Sequence, residues 1–334
     1  MTRRGRHPTH CGGAALCLAA VALFGVPAAA QAPSFALPLD CTLGETCFIQ
    51  NYVDTDPGDG FADFRCRPLG YDGHNGTDFR VLPGAKVPVI AMSAGRVLRV
   101  RDGAAERTLS GPSAAQAGRE CGNGVVIDHG GGWETLSCHL AEGSIPVRPG
   151  DEVEAGDIIG TVGLSGMTEF RHVHVRVMRD GETIDPFTGY RPGEAQCGAA
   201  GTPVWQDAVV AAAEDAGDTH ILAAGFAAGP VAIEAIQDGT VAAPRPGADA
   251  MVGYGLAMAV EAGDEHVLTL DGPSLSVTDR TEQPRFQAQA MRFAGRRLAD
   301  GAAPGIYRLR YQIVRSGQVV DEATVTLTLP AEAQ

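Results

Sequence analysis

Runs in which apolar and polar residues alternate with a period of two recur along most of the chain, and the most informative is Phe170-Arg171-His172-Val173-His174-Val175-Arg176-Val177. On a β-strand, His172, His174 and Arg176 share one face, and Val173, Val175 and Val177 share the other. Two neighbouring imidazoles on one face compete for protons and need partners when buried. Either they meet at a sheet surface by coincidence, or a metal or substrate lies against that face.

The same alternation predicts strands at residues 86–91 and 95–100. Residues 124–128 and 133–140 flank His129-Gly130-Gly131-Gly132, which reads as a hairpin. That hairpin brings Cys121 near Cys138 as the best disulfide pair, and period two sends His139 to the face opposite Cys138. Residues 102–120 are small and polar and read as a loop that could cover a groove. Between 147 and 163, Pro-Gly and Gly-Asp turns punctuate short apolar runs, as on a barrel-like sheet. Biotinyl and lipoyl carrier domains share that grammar, but they present a lysine on a hairpin tip and this run has none.

The grammar changes after Asp185-Pro186-Phe187. Residues 191–201 are Gly/Ala-rich, and Asp207 to Ala216 reads as a short helix. From His220 onward come about seven alternating runs, among them Val231 to Ile236, Leu256 to Ala262 and His266 to Leu270. A closing hairpin of 305–314 and 319–329 turns at Arg315-Ser316-Gly317-Gln318. This predicts an immunoglobulin-like β-sandwich, in which His220 and His266 are structural. The fold class expected is therefore all-β: an antiparallel, barrel-like domain with an open groove, then a C-terminal sandwich.

Length fits two such domains, since 334 residues, 44% of them hydrophobic, supply real cores. Residues 1–30 stand outside the fold: Arg3, Arg4 and Arg6 precede an apolar run from Gly12 to Val26 and Ala28-Ala29-Ala30, the order of a secretory signal peptide. Leu16 before Cys17 argues against a lipoprotein site, and Gly5-Arg6 fits a twin-arginine signal poorly. The expected divisions are 1–30 signal, 31–69 cysteine-rich irregular segment, 70–190 first domain, 191–216 linker with helix, and 217–334 sandwich. An exported, periplasmic or extracellular protein without a stable membrane anchor follows. The six cysteines beyond the signal agree with it, as up to three disulfides, and no CxxC pair suggests a zinc knuckle. Loss of three arginines and no acid takes the formal charge from −14 to −17, which excludes nucleic acid as a partner.

Candidate chemistry lies in residues 70–180. Asp54-Thr55-Asp56-Pro57-Gly58-Asp59-Gly60 glances at a calcium loop, but Gly58 stands where a third oxygen ligand belongs, so a solvated turn is expected. In Tyr71-Asp72-Gly73-His74-Asn75-Gly76-Thr77-Asp78-Phe79, the glycines argue against a helix. A straight strand would hold His74 and Asp78 roughly 13 Å apart; a bend at Asn75-Gly76 would bring them together. With His139, His172 and His174 they make five groups. Three imidazole or carboxylate ligands with a fourth position left to water are what a catalytic zinc takes. Two groups remain for acid, base or oxyanion work, and the helical H-E-x-x-H signature is absent.

His74-x-x-x-Asp78, then Thr135-Leu136-Ser137-Cys138-His139-Leu140, then Gly150-Asp151, Gly156-Asp157-Ile158-Ile159-Gly160 and Gly163-Leu164-Ser165-Gly166, then His172-x-His174, resemble the lysostaphin/LytM-type zinc metallopeptidases. The likeness covers about residues 70–187. It implies a β-sheet groove with one zinc per chain, and peptidoglycan peptide as the usual substrate. Carried over by position, His74, Asp78 and His174 would be metal ligands, and His139 and His172 catalytic histidines. The implied activity is endopeptidase cleavage of cross-links or stem peptides by a zinc-activated water. Phe170-Arg171 stands where the family usually has Gly-Pro, Val173, Val175 and Arg176 replace an apolar-aromatic-acidic run, and Ser137 stands where Tyr is frequent. These departures leave the metal set intact and bear on the groove's specificity. The alternatives are a non-catalytic module that grips wall peptide or regulates an amidase, and a zinc peptidase acting on proteins. The sandwich is expected to be an accessory domain, with an accessory protein or wall contact as its partner.

Overall fold

The computed structural model describes residues 1, 2, 5, 32–106 and 118–331, and the fold below is that of the unit Ala32–Gln334. The expected signal lies outside the described residues except at 1, 2 and 5, as do residues 107–117 of the expected loop 102–120. Among the described residues no helix is long and apolar enough to cross a membrane.

The first half contains strands β1 (Cys47–Asn51), β2 (Thr77–Val81), β3 (Pro88–Ile90), β4 (Gly95–Arg101), β5 (Asn123–Gly130), β6 (Trp133–Leu140), β7 (Glu152–Val153), β8 (Ile158–Thr161), β9 (His172–Arg179) and β10 (Glu182–Ile184). An antiparallel sheet runs β1-β2-β9-β6-β5-β4-β7, with β10 paired to β9, and β3-β8 forms a small second sheet. Register places Asp78 opposite His174 and Arg80 opposite His172 across β2 and β9. It places Cys138 opposite His174 across β6 and β9. The three central strands therefore carry the candidate chemistry.

Alternation in β9 does what the sequence pattern predicts. Val173, Val175 and Val177 are at most 1% exposed and lie in the core with Phe79 and Trp205. At roughly 1.5–3 kcal/mol for each fully buried valine, that face fixes which way the histidines point, because a one-residue slip would expose all three valines. Trp205, from the stretch read as a linker, packs edge-on against Phe35, Phe79 and Phe187. Cys121–Cys138 is bridged as expected, and Cys41–Cys47 and Cys66–Cys197 make three disulfides. The acidic loop folds as a turn: Asp54 Oδ1 accepts from the Asp56 and Ala62 amides and Oδ2 from that of Gly73.

The second half contains α1 (Asp207–Ala216), β11 (His220–Ala227), α2 (Ile233–Gln237), β12 (Ala250–Val260), β13 (Glu265–Gly272), β14 (Leu275–Glu282), β15 (Gln287–Arg297), β16 (Gly305–Arg315) and β17 (Gln318–Leu329). Sheets β11-β12-β15 and β14-β13-β16-β17 face one another as a sandwich. Their shared core includes Met251, Leu268, Leu270, Tyr307 and Tyr311. A Cβ on Gly255 would sit 2.2 Å from the Tyr311 ring, so only glycine lets the two sheets close there. His266 is buried and bonds the Tyr311 hydroxyl at 2.7 Å, a structural role. The strand expected over Val231–Ile236 is instead the helix α2. Ile233 and Ile236 are three apart, the helical rather than the strand spacing, and pack toward Phe48 and Leu222.

Asp185, which follows β10, is buried, and burial pushes its carboxyl up to about 6, although the Phe187 amide and Thr188 hydroxyl donate to it. The folded chain then binds this proton more tightly than the unfolded chain, whose value is about 3.9. Stability from this group is full below pH about 4 and falls as pH rises to about 6, by about 3 kcal/mol. Asp185→Asn should remove that slope: the difference in unfolding free energy between variant and wild type should grow between pH 4 and 6 in denaturant melts. A constant difference would contradict it.

Candidate metal centre

His74 reaches the site because the chain bends just before β2. Its Nδ1 donates to the Tyr52 carbonyl at 2.6 Å, which leaves the Nε2 lone pair facing inward. A carbonyl can only accept, so this contact fixes the tautomer. Nε2 lies 3.1 Å from Asp78 Oδ1 and 3.2 Å from His174 Nδ1. His174 Nδ1 lies 2.8 Å from the same Asp78 oxygen. Asn51, one strand over, donates to Asp78 Oδ2 at 2.7 Å and holds the carboxylate in place. Gly76 makes the bend possible: a Cβ there would lie 2.5 Å from His174 Cε1 and 2.6 Å from the Val175 carbonyl.

The three ligand atoms of His74, Asp78 and His174 all lie within 4.8 Å of one another. Tetrahedral zinc with bonds of about 2.0–2.1 Å separates its ligand atoms by about 3.3 Å. Contacts of 2.8–3.2 Å between two nitrogens and a carboxylate oxygen match that spacing and that donor chemistry, so the site could hold a metal.

His139 and His172 stand beside this triad, their rings 4.7 Å apart between centroids, with His139 6.0 Å from His174. His139 Nδ1 donates to the Ser165 carbonyl at 2.9 Å. His172 Nδ1 donates toward the Phe170 carbonyl at 3.0 Å, with Thr168 Oγ1 at 3.1 Å. In the neutral ring each of these contacts puts the proton on Nδ1 and the lone pair on Nε2, and the Nε2 of His172 lies 3.4 Å from Asp78 Oδ1. All five residues singled out in the sequence converge. Plain alternation, however, does not carry His139 there: its φ is +63°, a left-handed backbone that is rare for histidine. The His139 amide on the Cys121 carbonyl and its own carbonyl on the Gly163 amide hold that conformation. Asn51, Thr168 and the Tyr52 and Ser165 carbonyls were missed, since no local pattern ties them to the site.

Electrostatics follow from burial and from one carboxylate among imidazoles. Burial would raise Asp78, but the neighbouring His74 and His172 outweigh it and hold it well below the usual range. Burial would lower His74, but the charge and hydrogen bond of Asp78, with the Tyr52 carbonyl and Asp54, together offset that and raise it. Burial lowers His174 despite Asp78. Burial, helped by His172 and His174, pushes His139 down to about 3, so its imidazole is neutral.

The profile of peptidase family M23 matches residues 72–186. An uncharacterized metalloprotease of Haemophilus influenzae is 32% identical over 120 residues, 36% of this chain. The chain spans 22% of that relative's length. Among solved structures, a catalytic-domain variant of the prophage-encoded M23 protein EnpA from Enterococcus faecalis is 24% identical, over 47% of this chain and 95% of that one, with a TM-score of 0.31. The catalytic domain of lysostaphin, an antimicrobial peptidase from Staphylococcus simulans, is 23% identical over 41% and 85%, with a TM-score of 0.28. At these TM-scores the two structures add no weight. The family match falls on the domain that holds the five groups. Residues 72–186 of the chain are thus similar to peptidase family M23, and the chain is similar over 120 residues to a metalloprotease.

Proposed function

We propose that this chain is an exported zinc endopeptidase that hydrolyses peptide bonds in peptidoglycan cross-links or stem peptides. One observation carries the reading: three mutually oriented N and O donors lie beside two further imidazoles whose Nδ1 atoms are each held by a backbone carbonyl. His74, Asp78 and His174 would hold the metal, which when bound polarises a carbonyl and lowers the pKa of water toward about 7. His139 takes a proton at Nε2 from the attacking water, with the Ser165 carbonyl holding its ring in orientation. His172 stands opposite, where its Nε2 can share or return that proton as the tetrahedral oxyanion forms and collapses. The roles of the two histidines are interchangeable at this geometry.

Retention of all five groups disfavours a purely gripping module. Three disulfides support an oxidising compartment, and so export, while the peptidoglycan substrate is supported by the likeness of the motif set to wall peptidases. The test is the metal content of the purified mature chain together with mass spectrometry of digested peptidoglycan. One zinc per chain and new amino termini in cross-link fragments are expected, with cleavage stopped by a chelator and restored by zinc. A zinc-loaded protein that releases no fragments but cuts casein would move the substrate to protein. A protein that binds no metal would end the peptidase reading.

A further inference from the structure

Arg80 follows Asp78 by two residues on β2, so the pleat puts both side chains on the same face. It is 1% exposed, yet no carboxylate lies within ion-pairing distance of it among the described residues. One hydrogen bond, from Nη1 to Gln50 Oε1 at 2.8 Å, is neutral, and Nε has no partner. The guanidinium carbon stands 4.6 Å from the centroid of the Phe170 ring. A buried, unpaired cation is costly, and proteins hold one where something else completes it.

The surroundings indicate what completes it. A cleft of about 560 Å³ is lined by Asp78, His139 and His172 together with Arg80, Phe170 and Gln289. Gln50 is the extra residue of a bulge between Ile49 and Asn51. Its Nε2 donates to the Ala288 carbonyl of the sandwich at 2.7 Å, which turns Oε1 toward Arg80. The sandwich, through Gln50, thus props one side of the guanidinium, Phe170 covers its face, and Arg80 is among the residues that line the cleft. An extended peptide in that cleft advances about 3.3 Å per residue, so a group at Arg80 lies about two residues from one at Asp78.

We propose that Arg80 is a specificity-determining residue that binds a carboxylate of the peptide substrate within about two residues of the bond cut. This rests on the peptidase reading of the cleft. The carboxylate is either the terminal one of the peptide or that of an acidic side chain, and a planar guanidinium suits both.

The probe is a fluorescently labelled stem tetrapeptide in three forms: all carboxylates free, only the terminal one converted to carboxamide, and only the side-chain ones converted. Binding is measured by anisotropy on the metal-free full chain, and cleavage on the zinc-loaded chain with cross-linked dimers carrying the same changes. Wild type should bind the free form ten- to a hundredfold more tightly than one of the two amides, which identifies the source. Arg80→Met should lose that preference while its melting temperature stays level or rises, because a purely structural arginine would instead lower it. Should Arg80→Met fail to fold, Arg80→Lys decides, since it keeps the charge without the fork: its preference should fall several-fold, and an unchanged preference overturns the proposal. Wild type that binds all three forms alike, or none, also overturns it. Acid-selective binding without cleavage of any dimer would sink the peptidase reading and leave the carboxylate site standing. Equal cleavage of acid and amide dimers would do the reverse.

Discussion

Asp78→Asn should weaken zinc binding about a thousandfold and abolish measurable peptidase activity at equimolar zinc. Oδ1 of Asp78 is the hub of the centre, within 2.8 Å of His174, 3.1 Å of His74 and 3.4 Å of His172. It is the one carboxylate among four imidazoles, and His74 and His172 hold its carboxyl well below the usual range. Asparagine keeps the shape and can keep the contact with Asn51 by rotating its amide, so the loss is chiefly electrostatic. Removing one member of a buried charge cluster costs about 3–5 kcal/mol, and each 1.4 kcal/mol is tenfold in affinity. Competition for zinc against a chromophoric chelator measures this directly. Wild-type affinity in the variant would mean that the three donors are not the metal set. Far-ultraviolet circular dichroism should be unchanged, because Val173, Val175 and Val177 hold β9 in register independently of the site.

Those valines also explain why so much of the centre was legible in the chain itself. An H-x-H pair beside valines at every second position carries its own orientation, and the register of β2 against β9 then sets Asp78 opposite His174. The Cys121–Cys138 bridge was readable for the same local reason, since a glycine-rich turn closes its hairpin. What was not legible depends on distant partners. His139 adopts a left-handed backbone because Cys121 and Gly163 clamp it, and neither constraint is visible around residue 139. Asn51 orients the Asp78 carboxylate from a segment that reads as irregular and cysteine-rich. Arg80 looks like a surface arginine in a strand until β1, Phe170 and the sandwich close over it.

The sandwich was legible as a fold and silent about its use. Seven alternating runs predict its strands well, and α2 is the one place where an apolar spacing of three was misread as a strand. Nothing in those runs announces that Ala288 would hold Gln50, or that Gln289 would line the cleft. The consequence is physical: the C-terminal half is part of the wall of the candidate site, so removing it would expose Gln50 and Arg80 to water. That separates its contribution from a simple tether, which would leave the cleft unaltered.

His139→Ala should leave the metal in place and slow the chemistry. The residue is not among the three donors within 4.8 Å of one another, so zinc stoichiometry should stay at one per chain. Its loss removes a neutral imidazole whose Nδ1 proton is committed to the Ser165 carbonyl, which leaves the Nε2 lone pair to accept a hydrogen bond from the attacking water. General base catalysis by such a group contributes about a hundred- to ten-thousandfold, so kcat should fall by that factor with KM little changed. His172→Ala should fall in the same range, because its Nε2 faces the same space. The double variant should be little worse than either single one if the two imidazoles pass one proton between them. Steady-state kinetics on a soluble cross-linked muropeptide, with zinc measured in the same samples, gives both readouts. Variants that lose zinc together with activity would place His139 in the metal set and overturn the division of labour between the strands. Full additivity of the two losses would instead assign the histidines to separate steps, one to the attacking water and one to the oxyanion.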